Sequence, residues 1–404
     1  MKALLPKIKF KNFDEKWNRK KLHSIAPLRG GFAFKSEKFQ NTGIPIVRIS
    51  NIKFDGTVGG EFEYYSKINS DEKFVLRGRS ILLAMSGATT GKIAMLDSEE
   101  EYYQNQRVGY FQNTGEVDYD FLSSVLQTKA FTNQLNAVLV AGAQPNISSK
   151  EIDSFEFYIP DSIDEQSFIG SLFHTLDDLL ASYKDNLANY QALKATMLSK
   201  MFPKAGQTVP EIRLDGFEGE WEVVNLGTLI ENYDEIISGV SGFPIATSSR
   251  KGLYLQNDYF EGGRTGIDLT LDFHRVPMGY VTYRHMSDDS IFKFNKNNFE
   301  TDVLVSKEYP VFMSNDSSNI DFILYHLNNS RLFLRFSTMQ KLGGTRVRLY
   351  YKNLITYKLA VPTIKEQQAI GSYFSNLDNL INSHQEKISQ LETLKKKLLQ
   401  DMFI

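Results

Sequence analysis

Lys92 follows a run of small residues, SGATTGKIA from Ser86 to Ala94, which invites comparison with a phosphate-binding loop. That loop needs Gly, four residues, then Gly-Lys-Ser/Thr, so that backbone N–H groups wrap the phosphates and a hydroxyl holds magnesium. Here the interval from Gly87 to Gly91 is one residue short, and Ile93 stands where the hydroxyl should be. A strand-to-loop turn carrying Lys92 toward a nucleic-acid phosphate fits these residues better. Adenine methyl transfer would require an Asn/Asp-Pro-Pro-aromatic loop, and the chain has no Pro-Pro pair. The two Asp-Glu-Lys triplets, Asp14–Lys16 and Asp71–Lys73, lack an upstream acidic partner for nuclease chemistry and read as solvated turns. The six histidines show no paired metal-ligand spacing. No catalytic centre, metal or cofactor is expected in this chain.

The remaining polar residues suit recognition. Arg takes guanine O6 and N7 together, and Asn or Gln takes adenine N6 and N7 together. In the first half four stretches carry such heads: Arg48 to Asn51, Lys92, Gln104-Asn105-Gln106-Arg107, and Gln144 to Lys150 with Asn146 between them. In the second half they are Ser248-Ser249-Arg250-Lys251, Arg264, Tyr283-Arg284-His285, and Lys341 to Arg348, which includes Thr345 and Arg346. Gly142 and Gly343 each open a short polar loop late in their half. Within this set, Lys92 is expected on a phosphate, and Gln144, Asn146 and Arg346 on base edges.

These stretches sit on a duplicated frame. PKIKFKNFDEKW, Pro6 to Trp17, returns as PEIRLDGFEGEW, Pro210 to Trp221, and these hold the only two tryptophans. A longer repeat ends each half, from Ile159 to Pro203 and from Val361 to Ile404. Both copies open on a capping box, Ser162 to Glu165 and Thr363 to Glu366, in which the Glu is expected to return to the cap's own N–H. Apolar residues then recur in sevens. One copy gives the rows Ile169, Leu176, Tyr183, Tyr190, Met197 and Phe173, Leu180, Leu187, Lys194, Met201; the other gives Ile370, Leu377, His384, Leu391, Leu398 and Phe374, Ile381, Ile388, Lys395, Met402. Sustained heptads describe coiled-coil helices, placed at about 164–202 and 365–403 and about 55–60 Å long. Connectivity predicts antiparallel packing, with the C-terminus near the N-terminus. Leu172, Leu179 and Leu380 are expected to face outward.

The fold class is therefore α+β: two β-rich domains related by a pseudo-twofold and joined by two long antiparallel coiled-coil helices. The expected boundaries are 1–158, 159–203, 204–360 and 361–404. With 42% hydrophobic residues the chain can build more than one core, and 29 Phe and 20 Tyr suit pleated sheets. A net charge of −2 does not bear on nucleic-acid binding, which needs a local positive face. No apolar run approaches the roughly 18 residues of a membrane span. The absence of cysteine excludes disulfides and thiolate metal sites and fits a reducing cytoplasm, where the protein is expected.

Across essentially its whole length the chain resembles the specificity subunits of type I restriction–modification systems. The resemblance rests on the domain-helix-domain-helix order, IPIVRISNI from Ile44 to Ile52, SILLAMSGATTGKIA from Ser80 to Ala94, and the two helix entrances IDEQSFIGSLFHTLDDLL and IKEQQAIGSYFSNLDNLI. It implies a non-catalytic subunit that reads two halves of a double-stranded DNA site and docks methyltransferase subunits, two in number, and through them restriction subunits. S-adenosylmethionine, ATP and magnesium would belong to those partners. The competing reading is a coiled-coil scaffold whose β-rich domains bind proteins or glycans. Paired loops rich in amides and arginine, mounted on a duplicated frame, favour DNA.

Overall fold

The computed structural model describes residues 5–141, 146–259, 268–341 and 346–404. The chain divides into two compact units, residues 1–184 with 386–404, and residues 185–385. The two long helices run Ile163–Lys200 and Ile364–Asp401, so each helix is shared between the units. Strands and short helices make up the rest of each unit.

In the first unit the central sheet has the order Leu28–Gly30, Val108–Phe111, Ser80–Ala84, Ile93–Leu96. A second sheet runs Glu63–Tyr65, Ile44–Val47, Tyr102–Gln104, Val75–Leu76, with Ile44–Val47 parallel to Tyr102–Gln104. The second unit repeats the central sheet as Ile230–Tyr233, Val311–Ser314, Val281–Tyr283, Phe294–Lys296. The tryptophan segments lead into matching antiparallel pairs, Asn18–Lys21 with Glu156–Ile159 and Glu222–Asn225 with Lys358–Val361. DYDFLSSVL and NIDFILYHL, which keep register between the halves, form the helices Tyr119–Val125 and Ile320–Asn329. Asp118 and Asn319 cap them, each accepting a hydrogen bond from the third residue on.

The heptad rows are buried where the long helices enter a core. Ile169, Phe173, Leu176 and Leu180 lie in the first unit, and Ile370, Phe374, Leu377 and Ile381 in the second. Helix direction is antiparallel within each unit. In the first, Asp177 pairs with Lys395 and Lys184 with Glu392; in the second, Lys194 pairs with Asp378 and Tyr190 packs edge-on against His384. As one residue number rises the other falls. Lys194 and Lys395 occupy the seam, where an ion pair to the facing helix fixes register. The end of the second long helix also completes the first core. Met402 is 2% exposed, Phe403 packs against Trp17, Phe121 and Phe173, and the Ile8 N–H donates to the Asp401 carbonyl at 2.9 Å. The C-terminal residues thus lie against the N-terminal segment at Ile8, in the direction expected. Met201 and Phe202 fill the same place in the second unit.

The capping boxes form only in part. Ser162 accepts from the Glu165 N–H at 3.2 Å, and Thr363 accepts from the Glu366 N–H at 3.5 Å. The glutamates turn inward instead of back to the cap. Glu165 accepts from the Trp17 indole at 3.1 Å, whereas Glu366 takes a bidentate pair from Arg213, both contacts at 2.7 Å. Burial pushes the Glu165 carboxyl up, and the indole hydrogen bond opposes this. With Glu366 committed to Arg213, the buried indole nitrogen of Trp221 has no partner. Leu172 also departs from expectation: it packs against the first core, while Leu179 and Leu380 are each 42% exposed.

Two measurements check this packing. Met402→Ala should destabilise the first unit by about 2–5 kcal/mol, the usual range for an emptied core position, and hydrogen exchange should localise the loss there although the residue is third from the chain end. His326 lies fully buried against the Tyr357 hydroxyl at 2.8 Å, and burial lowers its pKa to about 4. The folded state therefore binds fewer protons than the unfolded one between pH 6.5 and 4. Stability should be full above about pH 6.5 and fall as pH drops through that window, and urea titrations should show a shallower fall for His326→Gln.

Candidate nucleic-acid interface

In the first unit all four sequence-chosen stretches meet around one strand end. Ser80–Ala84 runs on into Met85 and Ser86. The Met85 N–H donates to the Arg107 carbonyl, the Ile147 N–H donates to the Met85 carbonyl, and Ser86 bridges to Asn146. The Asn105 N–H donates to the Val47 carbonyl, one residue before Arg48. The turn from Gly87 to Lys92 follows directly. Gly87 and Gly91 have φ of 73° and 89°, and a Cβ at Gly91 would lie 2.4 Å from Leu135. The left-handed φ is what calls for glycine there, since the Leu135 tip could move aside. The Lys92 ammonium lies 3.0 Å from the centroid of the Phe54 ring, and Phe54 is 88% exposed.

Not every chosen residue is at the surface. Gln104 is fully buried: its amide donates to the carbonyls of Arg29 and Val108 and accepts from the Arg29 guanidinium. Asn51 is buried as a loop clip, accepting from the Arg48 N–H and donating to the carbonyls of Gly59 and Glu61. These amides hold the fold and have no free edge for a base. Arg48 reaches Glu63 at 3.4 Å, while its Nε is buried without a partner. The Asn105 side chain accepts from the Arg107 N–H, closing a turn that leaves Gln106 and Arg107 exposed. Asn146 and Lys150 are exposed, Lys150 on a short helix capped by Ser148. Gln144 and Gly142 lie outside the described residues.

In the second unit a cavity of about 530 Å³ gathers Ser248, Ser249, Arg250, Lys251, Arg284 and Arg346, with Lys293, Tyr259, Tyr309 and Asp288 beside them. The turn Arg250–Lys251 is the tip of a hairpin, Ala246–Ser249 with Gly252–Leu255. Arg346 precedes a two-residue strand, Val347–Arg348, that pairs with Met286–Ser287. Arg284 and Arg348 are exposed. Lys293 is half-buried; burial and nearby Lys194 lower its pKa, and Asp378 opposes them. Three chosen residues belong to the core. Tyr283 is buried, which pushes its pKa well up, and its hydroxyl donates to the Leu349 carbonyl. His285 is buried and stacks on Tyr350, and burial lowers its pKa. Ser248 is buried and accepts from the Asn295 amide at 2.8 Å. Lys341 is exposed; Arg264, Thr345 and Gly343 lie outside the described residues.

Sequence reading missed Phe54, Lys293, Asp288 and Asp289. The signal for the aspartates was their position, a few residues after Tyr283-Arg284-His285 and just past the short strand Met286–Ser287. A search for cations passes over them. Among the described residues, no group of three or more His, Asp or Glu could hold a metal ion, and no helix is long and apolar enough to cross a membrane.

Comparison with known proteins follows the same outline. The profile of the type I restriction modification DNA specificity domain matches residues 14–213 and 255–393. A candidate MjaX specificity subunit of a type I restriction enzyme from Methanocaldococcus jannaschii is 23% identical over 95% of this chain and 92% of its own. The type I restriction enzyme MjaVIII specificity subunit of the same organism is 26% identical over 41% of this chain and 40% of its own. The crystal structure of a type I restriction-modification S subunit from M. genitalium superposes with a TM-score of 0.62 at 14% identity, covering 99% of both chains. That likeness is one of fold.

The division between structural and surface residues is open to measurement. Gln104→Ala strands two buried carbonyls and should lower unfolding stability by about 1–3 kcal/mol. Lys92→Ala should stay within about 0.5 kcal/mol of the parent, as surface changes do. Equilibrium urea unfolding of both variants distinguishes the two classes.

Proposed function

The chain belongs to the type I restriction–modification DNA-specificity family, and from that premise we propose that it reads an asymmetric bipartite site in double-stranded DNA. The observation that carries this reading is a shared frame with unlike faces. Both units keep one central strand order, yet the first gathers Lys92, Gln106, Arg107 and Asn146 around Met85, and the second gathers five cationic side chains around a cavity. Lys92 and Lys251 serve as phosphate contacts, which set affinity and salt dependence; Asn146 and Arg346 serve at base edges, which set sequence. Net charge is no obstacle, because binding needs only a local positive face, such as the five cations around the cavity.

In this proposal the two long helices act as the spacer between half-sites. Their outward surface, including the equivalent leucines Leu179 and Leu380, docks two methyltransferase subunits, with restriction subunits joining through these. S-adenosylmethionine, ATP and magnesium are held by those partners. The chain contributes recognition and no chemistry.

Exchanging residues 27–158 for the matching segment of another such subunit should change one half of the methylated site and leave the other intact. Sequencing of methylated DNA from cells carrying the chimaera reads this directly; a change in both halves, or in neither, would refute the division of labour. Lys92→Ala should weaken binding to all duplexes alike and lower the salt slope by about one unit in mobility-shift titrations.

A further inference from the structure

The cationic cavity of the second unit is lined by Asp288, and the next residue, Asp289, holds the lining Arg250; DNA attraction alone does not explain this acidic pair. Arg250 makes a two-point contact with Asp289, at 2.8 and 2.6 Å, and the Arg346 Nε donates to Asp288 at 2.9 Å. Stability is a weak reason for these pairs. The partners are between 45% and 76% exposed, and exposed ion pairs contribute little. Yet the arrangement is built. The strand Met286–Ser287 pairs with Val347–Arg348, which fixes Asp288 one step beyond one strand and Arg346 one step before the other. Asp289 accepts from the Ser287 hydroxyl at 2.8 Å and from the Ile291 N–H at 3.1 Å. Burial would raise its pKa, but these bonds and Arg250 hold the carboxyl below its usual range.

We propose that Asp288 and Asp289 are specificity-determining residues that hold Arg346 and Arg250 off the phosphate backbone and accept a hydrogen bond from an exocyclic amino group of the target, cytosine N4 or adenine N6. The inference rests on the DNA-reading assignment above. Its logic is that of a repulsive element. Asp288 in the cavity lining and Asp289 paired to the lining Arg250 resist any phosphate that enters, so non-cognate DNA gains less from the arginines than their number suggests. At the right base pair the balance reverses. The carboxylate accepts from the amino group while the released guanidinium takes acceptors on a neighbouring edge, a pairing of donors and acceptors that phosphates cannot offer. The arginines alone would increase affinity for every sequence; with the aspartates they discriminate.

The test uses the full chain, a duplex carrying its methylated site, single-base variants of the second half-site and an unrelated duplex, compared by fluorescence anisotropy. Asp288→Ala and Asp289→Ala remove both the charge and the acceptor oxygens at exposed positions. Each should tighten binding to the unrelated duplex about five-fold or more while changing cognate affinity less than about three-fold, so selectivity collapses. At one position, replacing cytosine by 2-pyrimidinone or adenine by purine deletes the amino group. That deletion should weaken the parent about ten-fold and leave one of the two variants indifferent, and the base that responds identifies the amino donor. Equal shifts for all duplexes, or variants that respond to the deletions as the parent does, would overturn the proposal. Failure of the parent to bind its site at all would instead overturn the DNA-reading assignment.

Discussion

Each unit depends on one close crossing. At Gly170 the first long helix meets the first turn of the helix Tyr119–Val125 so tightly that a Cβ would sit 2.5 Å from the Phe121 nitrogen. At Gly371 the second long helix meets the cap of Ile320–Asn329, with 2.7 Å left to the Asn319 side chain. Gln166 and Gln367 hold the same crossings, accepting from the Asp118 and Asn319 N–H groups at 2.8 and 3.0 Å. A long helix seated this closely lays its heptad rows directly on the core, and the opposite end of the other long helix closes what remains. Neither core is complete without both helices. A shift of either helix would therefore disturb a packed interior, and interiors at this density do not deform gradually.

That rigidity lets the surfaces diverge. The frame repeats down to single contacts, as the seam pairs Asp177–Lys395 and Lys194–Asp378 illustrate. Where the copies differ, the exchange is local. Glu165 serves the Trp17 indole in one, and Glu366 serves Arg213 in the other, at the expense of the Trp221 N–H. The faces proposed for recognition differ more freely because they lie on turns, where a substitution does not have to be fitted into a core. One face is built on hydrogen bonds around Met85, the other on arginines tethered to aspartates.

The frame was legible because periodicity and repetition report burial directly. The heptad rows and the matched halves follow from where apolar side chains recur, and the antiparallel direction from how the chain connects them. The faces were legible only as stretches. Sequence shows that Gln104, Asn51, Ser248, Tyr283 and His285 are polar, but not that the fold turns them inward to satisfy backbone groups or to pack on aromatic rings. The capping boxes show the same limit. Ser162 and Thr363 act locally and are readable, whereas the partners of Glu165 and Glu366 come from segments about 150 residues away. Asp288 and Asp289 were passed over because an anionic ligand directs attention to cations; their meaning depends on lying beside Arg346 and Arg250, which sequence separates from them by 58 and 39 residues.

The central claim is that one chain specifies two unlike half-sites. A genome-wide map of adenine methylation in the host, with and without this gene, tests it most directly. The account predicts that one motif disappears on deletion, made of two different specified halves around an unspecified gap, and returns when the gene is restored. Loss of a continuous or palindromic motif would contradict two unlike readers, and an unchanged map would contradict the role in specificity itself.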